Sequence, residues 1–579
     1  MLSATIAHPN SLATPRLPLL AWLALIAACA VPPLVAYHTA PSSSIYNQLA
    51  AVAGWGAVLV CLSRAQPRVW GSAAVLALLI LFVVARLAAP VSGLAQALAN
   101  ASLIGAALLV LLGGQGLNVD ARKAWFEGFC WALLAAGLLS LGVSLMQVFA
   151  PSLVDGYLVA HSGIPGRAAG NMRQPNHLAS LLMWSCVAAA YLADQERLKK
   201  ALPAVLFGLI FAVVLSASRT GLVGVLVLAL WGLLDRKLNR VSRYTLLTAP
   251  LMLLVGWGVM WAWSHAGGAA LGAESRLAEG AGSPARLAIL ANAWELLKQN
   301  PLTGVGWGEF NFAWTMTPFP GRHSAFFDNT HNLPMQLAVE LGLPLASLIV
   351  GLLVWSLWRA LRNSSLASGA DAVVRRCAFM IVLMIGLHSL LEYPLWYAYF
   401  LLPTAFAFGV ALGPVNPPPV KANDKLRLLP LVLVLAGVLL MAGSVFAWRE
   451  YLRVVAIYVE PPGAAPLWDR ITAGQHTVFF TPQADYAAAT TMPPGPETLA
   501  AVKRKAHQAT EARLLISWAL SLHATGDDDR ARYVVQRLRE FRSPAGMRWL
   551  AECDAVKPGA PRPFQCDPPQ REYDWREMR

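Results

Sequence analysis

Charge is scarce in this sequence. Asp, Glu, Lys and Arg make up 13% of the 579 residues while 57% are hydrophobic, against about a quarter charged in ordinary globular proteins. Helices of a soluble core would need polar outer faces, and the long apolar stretches here lack them. Nucleotide chemistry is missing its signature too, since no P-loop or other glycine-rich phosphate motif occurs. No Asp-x-Asp pair stands on a loop assigned below to the outer face, so a metal-bridged phosphate would want for ligands. The run Asp527-Asp528-Asp529 falls at a turn in the tail and reads as solvated surface. Cysteine is sparse: of seven, five lie in or beside apolar stretches. The other two, Cys553 and Cys566, are an exported pair that could form a disulfide, although spacing alone does not establish the geometry.

What is present is hydrocarbon. Thirteen stretches are almost free of charge: 19–37, 46–63, 69–84, 96–114, 125–150, 177–192, 201–216, 222–234, 244–263, 334–358, 377–391, 394–412 and 428–447. Several reach the roughly 20 residues needed to cross about 30 Å of lipid, and shorter ones fit inside a bundle. The expected fold is therefore all-α, a polytopic membrane helix bundle of about 13 spans. The first stretch lacks a cleavage site and reads as a retained span. Basic residues alternate between loops: Arg64 and Arg68; Arg122 and Lys123; Arg197, Lys199 and Lys200; Arg236 to Arg243; Arg359 to Arg376; Lys421, Lys425 and Arg427. By the positive-inside rule these loops are cytoplasmic, with the N-terminus. The net charge of +14 is thus mainly a topology signal, not a nucleic-acid footprint. Loops 151–176 and 264–333 and the tail then face outward. Two domains are expected: a bundle over 1–447 that includes those loops, and a helical outer domain over 448–579. The tail is charged but balanced, with 18 basic and 16 acidic residues. Residues 513–541 read as two amphipathic helices around Thr525-Gly526-Asp527.

Polar residues that hydrocarbon should exclude cluster at one depth. Arg219 lies in a short outer turn, Glu340 about two turns into a helix entered from outside, and His388 and Glu392 at the outer end of another. A transporter would carry such groups at the midplane; this pattern suits an amphiphile whose polar head lies at the outer surface. In the long loop, Ser283-Pro284 resembles a helix start and Asn300-Pro301 its end. Leu287, Leu290, Trp294 and Leu297 form an apolar stripe between them, and Arg286 sits in the first turn. With Arg219, Arg286 could clamp a phosphate through the fixed guanidinium fork, although a solvated arginine is the plainer alternative. Further on, Pro334 marks a helix start with His331 and Asn332 at its N-terminus. Asn332, Gln336 and Glu340 follow at i, i+4 and i+8 as a polar stripe. The positive helix end disfavours imidazolium and leaves His331 suited to accept a proton. His323 has no comparable setting. Gln174, within Arg173-Gln174-Pro175-Asn176-His177, and Tyr393, beside Glu392, complete the candidates, although an interfacial aromatic belt explains most of the run 392–400 equally well.

His331-Asn332, Gln336 and Glu340-Leu341-Gly342, preceded by Asn300-Pro301-Leu302-Thr303-Gly304-Val305-Gly306-Trp307-Gly308, resemble the O-antigen ligase/polymerase superfamily. Within it, 173–179, 392–400 and His38-Thr39-Ala40-Pro41 leading to Tyr46-Asn47 look like the PglL-type bacterial protein O-oligosaccharyltransferases. The resemblance implies a metal-independent glycosyltransferase of GT-C-like fold in the bacterial inner membrane, with a periplasmic tail and no cofactor. It would move an oligosaccharide en bloc from undecaprenyl pyrophosphate to Ser or Thr of an exported protein such as a pilin. By the same resemblance His331 is the essential histidine, Arg219 and Arg286 bind pyrophosphate, and Gln174 and Tyr393 act in the protein-glycosylating branch. Asn332, Gln336 and Glu340 are expected beside the substrate. A lipopolysaccharide O-antigen ligase or polymerase is the alternative, sharing the donor but using a sugar acceptor. A lipid-linked glycan flippase or transporter is a distant third, since neither deep paired charges nor internal repeats are found.

Overall fold

The computed structural model describes residues 17–267, 284–320, 322–415, 428–508, 510–557 and 561–579. Ser283, Lys421, Lys425 and Arg427 lie outside them. Among the described residues the secondary structure is helical, and the one pairing of extended residues is an isolated bridge between Thr39 and Ser42.

The helices are α1 (Leu19–Cys29), α2 (Ile45–Ser63), α3 (Ala73–Leu87), α4 (Leu94–Gln115), α5 (Val119–Phe149), α6 (Pro175–Asp194), α7 (Leu202–Ser216), α8 (Arg219–Leu234), α9 (Arg240–Leu247) and α10 (Ala249–His265). In the long loop come α11 (Pro284–Gln299) and α12 (Phe310–Met316), then α13 (Leu333–Leu366), α14 (Gly369–Ser389), α15 (Ala398–Leu412) and α16 (Leu428–Tyr458). The tail adds α17 (Leu467–Gln475), α18 (Thr481–Thr491), α19 (Pro496–Ala506), α20 (Ala512–Ala524), α21 (Asp528–Phe541) and α22 (Pro544–Leu550). Their starts are written locally: Ser72, Asn118, Ser218 and Asp527 each turn a side-chain oxygen onto a first-turn N–H of α3, α5, α8 and α21, satisfying donors that no carbonyl reaches.

All thirteen apolar stretches fall on helices. Six helices (α2, α4, α5, α6, α13 and α16) are long and apolar enough to cross a bilayer, and the pair α9–α10, bent by 47°, makes a seventh. Helices α1, α3, α7, α8 and α15 are shorter, and α14 carries Asp371, Arg375 and Arg376 near its start. This is a membrane helix bundle; among the described residues length and composition alone license six or seven crossings, and about 13 would require α1, α3, α7, α8, α14 and α15 to cross as well. The central member is α6, whose apolar window is 94% buried. Its own Trp184 and Tyr191 meet Phe400 and Phe126 edge-on, and Trp55, Phe129 and Phe406 continue the same core.

Two of the loop cations are structural. Arg122 donates to Asp371 at 2.8 Å, Arg375 donates to it at 2.6 Å, and Arg375 also donates to the Gly413 carbonyl at 2.6 Å. Both guanidinium side chains are fully buried, so they tie α5, α14 and the end of α15 together.

The long loop and the tail share one core. Ile289, Ala293 and Leu296 of α11 and Phe310, Phe312 and Trp314 of α12 pack with Leu515, Trp518, Val534 and Phe541 of the tail. The stripe expected on α11 is therefore rotated: Ile289, Ala293, Leu296 and Leu297 are buried, whereas Leu287 and Trp294 are 68% and 48% exposed. That helix is apolar on two sides, and the side carrying small Ala293 seats against the aromatic tail core. The hairpin expected over 513–541 is α20 and α21, turning at Gly526 with φ of 82°. At the acidic run, Asp527 caps α21 and Asp529 accepts from the Tyr573 hydroxyl at 2.7 Å, so the run is partly structural. Cys553 and Cys566 are disulfide-bonded with Cα atoms 5.3 Å apart. Helix α16 continues without a break from 447 to Tyr458.

Candidate active site

The site begins where two helix N-termini and a span end converge. Asn332 caps α13, accepting from the Met335 N–H at 2.9 Å, and donates to the Leu390 carbonyl at 3.0 Å. Its predecessor His331 takes a left-handed backbone, φ 53°, unusual without glycine and costly unless neighbours enforce it. Enforcement comes from Asn329, whose Oδ1 accepts the His331 N–H at 2.9 Å, and from Thr330, whose N–H donates to Gln336 Oε1 at 2.8 Å. The imidazole is thereby turned towards the end of α14.

There Glu392 is the hub. Its Oε2 lies 2.7 Å from His331 Nδ1. Its Oε1 accepts from Arg286 of α11 and, at 3.0 Å, from Asn176 Nδ2 of α6. Asn176 Oδ1 in turn accepts from Ser218 Oγ at 2.7 Å, the cap of α8. Burial raises the affinity of the Glu392 carboxyl for a proton, but the hydrogen bond and charge of His331 and the charges of Arg286 and His388 outweigh it and hold the group below its ordinary range. A carboxylate on Nδ1 selects the tautomer that leaves Nε2 as the acceptor. The Tyr393 ring stands 5.1 Å from the imidazole and Phe327 lies 5.6 Å away on an edge-on approach. Burial chiefly, then the charge of Asp328, pushes the Tyr393 phenol well up, so it is present as a neutral hydroxyl.

The sequence candidates fall into three groups. His331, Arg286 and Tyr393 meet directly around Glu392. Gln174 and Arg219 flank the network: Gln174 caps α6 two residues before Asn176, and Arg219 follows Ser218 as the first residue of α8. Gln336 and Glu340 turn inward. Gln336 donates to Glu340 at 2.9 Å, and Glu340, 6% exposed, also accepts from the Gly308 and Phe310 N–H groups. The chain is opened beside it at Gly342, φ 76°. Segment 301–306 fills the opening: Val305 and Gly306 donate to the Val339 and Glu340 carbonyls, and Leu343 donates to Pro301. A Cβ on Gly342 would collide with the Leu302 carbonyl, and one on Gly304 with the Glu340 backbone. Gly304 and Gly342 therefore serve this contact. His323 stands apart, accepting from the Ala325 N–H at 3.1 Å.

Glu392 and Asn176 are the residues that sequence reasoning placed nearby but did not assign to the site. Their signal was available: a carboxylate at a span's outer end, and an asparagine behind a helix-starting proline. Among the described residues no cluster of three or more His, Cys, Asp or Glu has metal-ligand spacing.

Comparison with known proteins covers the same residues. The O-antigen ligase family pattern matches 204–350, which contains Arg219, Arg286, His331, Asn332, Gln336 and Glu340. The protein glycosylation ligase pattern matches 168–193, with Gln174 and Asn176. The C-terminal pattern of the virulence factor membrane-bound polymerases matches 377–544, with Glu392 and Tyr393. Among curated proteins, the chain is 26% identical over 396 residues to a general O-oligosaccharyltransferase of Acinetobacter baylyi, covering 64% of this chain and 65% of the relative. It is 25% identical over 291 residues to the ComP-specific O-oligosaccharyltransferase of the same organism, covering 48% and 50%. The chain thus spans 65% and 50% of the length of these two relatives.

Proposed function

We propose that this chain is a metal-independent glycosyltransferase that moves an oligosaccharide en bloc from undecaprenyl pyrophosphate to Ser or Thr hydroxyls of exported proteins such as pilins. The observation that carries it is the convergence of His331, Glu392 and Arg286 from three separate helix ends, within segments similar to O-oligosaccharyltransferases.

In the proposed step the acceptor hydroxyl oxygen bonds to the anomeric carbon, the bond from that carbon to the pyrophosphate breaks, and the hydroxyl proton passes to His331 Nε2. Glu392 holds Nδ1 and stabilises the imidazolium formed. Pyrophosphate is a good leaving group, so stabilising its charge supplies much of the catalysis. Arg219 and Arg286 take that role; a guanidinium has five N–H donors and can keep Glu392 while it binds phosphate. Gln174 and Tyr393 border the acceptor. Asn332, Gln336 and Glu340 hold the His331 turn and act through it. The step uses no cofactor.

The setting we infer is the bacterial inner membrane, with the N-terminus cytoplasmic and the bundle of 1–447 embedded in lipid. Loops 151–176 and 264–333 and the domain 448–579 are periplasmic, which the disulfide Cys553–Cys566 supports. The match of 204–350 to O-antigen ligases favours one second reading, a ligase with a sugar acceptor. Reconstitution with a lipid-linked oligosaccharide, a pilin-type protein and lipid A core tests both. Glycosylated pilin is expected; glycosylated lipid A core alone would overturn the acceptor assignment, and donor hydrolysis without either product would overturn both.

A further inference from the structure

One outer-surface feature takes no part in the step above. Tyr37, at the start of the first outer loop, is 47% exposed, and Tyr157 of loop 151–176 is 69% exposed. Their rings stack at 6.1 Å and 16°. Tyr37 also stacks on half-buried Tyr46 at 5.4 Å and 28°, and Tyr46 meets buried Tyr451 of α16 edge-on at 5.9 Å. Three near-parallel rings from three chain segments thus form a ladder with its outer end open.

The ladder is anchored from below. The Tyr46 hydroxyl pairs with Thr39 Oγ1 at 2.9 Å, and the Tyr451 hydroxyl donates to the Thr39 carbonyl at 2.6 Å while accepting from the Ser42 N–H at 2.9 Å. Tyr157 is fixed by Asp155, whose Oδ1 accepts the N–H groups of Tyr157, Leu158 and Val159. Arg173 ties the ladder to the active site. Its guanidinium reaches the Ala36 carbonyl, the Ser43 carbonyl at 3.0 Å and His38 Nδ1 at 2.9 Å, on both sides of Tyr37. Its neighbour is Gln174, two residues from the Asn176 that holds Glu392.

We propose that the Tyr46–Tyr37–Tyr157 ladder is a saccharide-binding platform that holds the glycan of the lipid-linked donor at a distance from its pyrophosphate. Pyranose rings present an apolar C–H face to an aromatic ring and hydroxyls to its edges; exposed tyrosines offer large rigid contact area with a polar tip. Hydroxyl, imidazole and guanidinium groups from Thr39, His38 and Arg173 edge the ladder, matching a ligand that is polar around its rim. An interfacial aromatic belt also sets rings at the headgroup level, but it does not require the ring-on-ring stacking that joins Tyr46, Tyr37 and Tyr157 here. Rigid support matters because a platform already in place loses little freedom on binding.

This inference rests on the donor assignment made above, and its test separates the two. Binding of three probes to the detergent-solubilised full chain would be measured without any acceptor: undecaprenyl pyrophosphate carrying an oligosaccharide, the same lipid carrying one sugar, and the lipid pyrophosphate alone. For Tyr37→Ala and Tyr157→Ala, affinity for the oligosaccharide-bearing lipid should fall about five- to ten-fold, while the other two probes bind as to wild type. Tyr157→Phe, which keeps the ring, should retain most of the affinity. Equal binding of all probes by wild type and both alanine variants, or an equal loss for all three probes, would overturn the platform and leave an interfacial belt. A wild-type chain that binds none of the probes would instead overturn the donor assignment.

Discussion

Side-chain identity around Glu392 is most sharply tested by exchanging groups of the same shape. Glu392→Gln keeps the volume but removes the charge that orients His331 and stabilises imidazolium, so transfer should drop by about 10²-fold or more while donor binding and membrane insertion persist. His331→Ala should abolish transfer with donor binding retained, and His323→Ala in the same loop should be near neutral; near-normal transfer by either site variant would remove that residue from the mechanism. Acid sensitivity has a definite sign. Because the Glu392 carboxyl is held below its ordinary range, its ion pairs are fully formed above about pH 4.3 and are lost only as pH falls through the lowered value. A rate that declines while the pH is still above that point therefore reports a base other than Glu392. Arg286→Lys keeps charge but not the fork, and a loss of about 2–3 kcal/mol in kcat/KM, roughly thirty- to a hundred-and-fifty-fold, is expected; wild-type turnover would exclude Arg286. His331, Arg286 and Tyr393 could be singled out in the sequence because each stands at a helix end or span boundary, although a solvated arginine and an interfacial aromatic belt accounted for Arg286 and Tyr393 as well. The hub could not be, since nothing local in Glu392-Tyr393 says that Arg286, 106 residues earlier, meets it.

Among the elements, α13 does the most positioning. Its first half carries His331 and Asn332, and its break at Gly342 is held open by segment 301–306. Gly342→Ala would force a left-handed backbone onto a residue with a Cβ and drive that atom into Leu302. A loss of about 2 kcal/mol or more is expected, read as a lower thermal midpoint in detergent with transfer falling alongside. Gly351→Ala, in the same helix with open space around it, should be neutral; equal midpoints for the two variants would show that the break carries no strain. From sequence, 334–358 reads as one unbroken apolar helix with a polar stripe, and the helix start marked by Pro334 with Asn332 at its N-terminus is correct. The break escaped because Glu340-Leu341-Gly342 looks helical until the partner segment, 40 residues upstream, is known to press its backbone against it.

At the scale of the molecule, orientation is the open quantity with the simplest measurement. A reporter active only in the periplasm should be active when fused within 264–333 or after Trp448 and silent when fused after Arg240; activity at Arg240 would invert the bundle and detach the site from the outer surface. The helical, lipid-embedded character was fully legible, because hydrocarbon admits few alternatives to helices and excludes charge. The number of crossings does not follow from length alone, since α1, α3, α7, α8 and α15 are apolar but shorter than a full span. Nor was the shared core of the long loop and tail legible, since it depends on aromatic residues more than 200 positions apart, such as Phe312 and Trp518.

The seam at Gly342 also bears on how α13 is held in the membrane. From Leu343 to Trp358, before Arg359, there are 16 residues, about 24 Å as helix and short of the roughly 30 Å of a bilayer's hydrocarbon. The apolar stretch 334–358 therefore reaches span length only with residues on both sides of the break. Anchoring and chemistry thus share one helix across the seam, so a change that closes or widens the break at Gly342 acts on both at once.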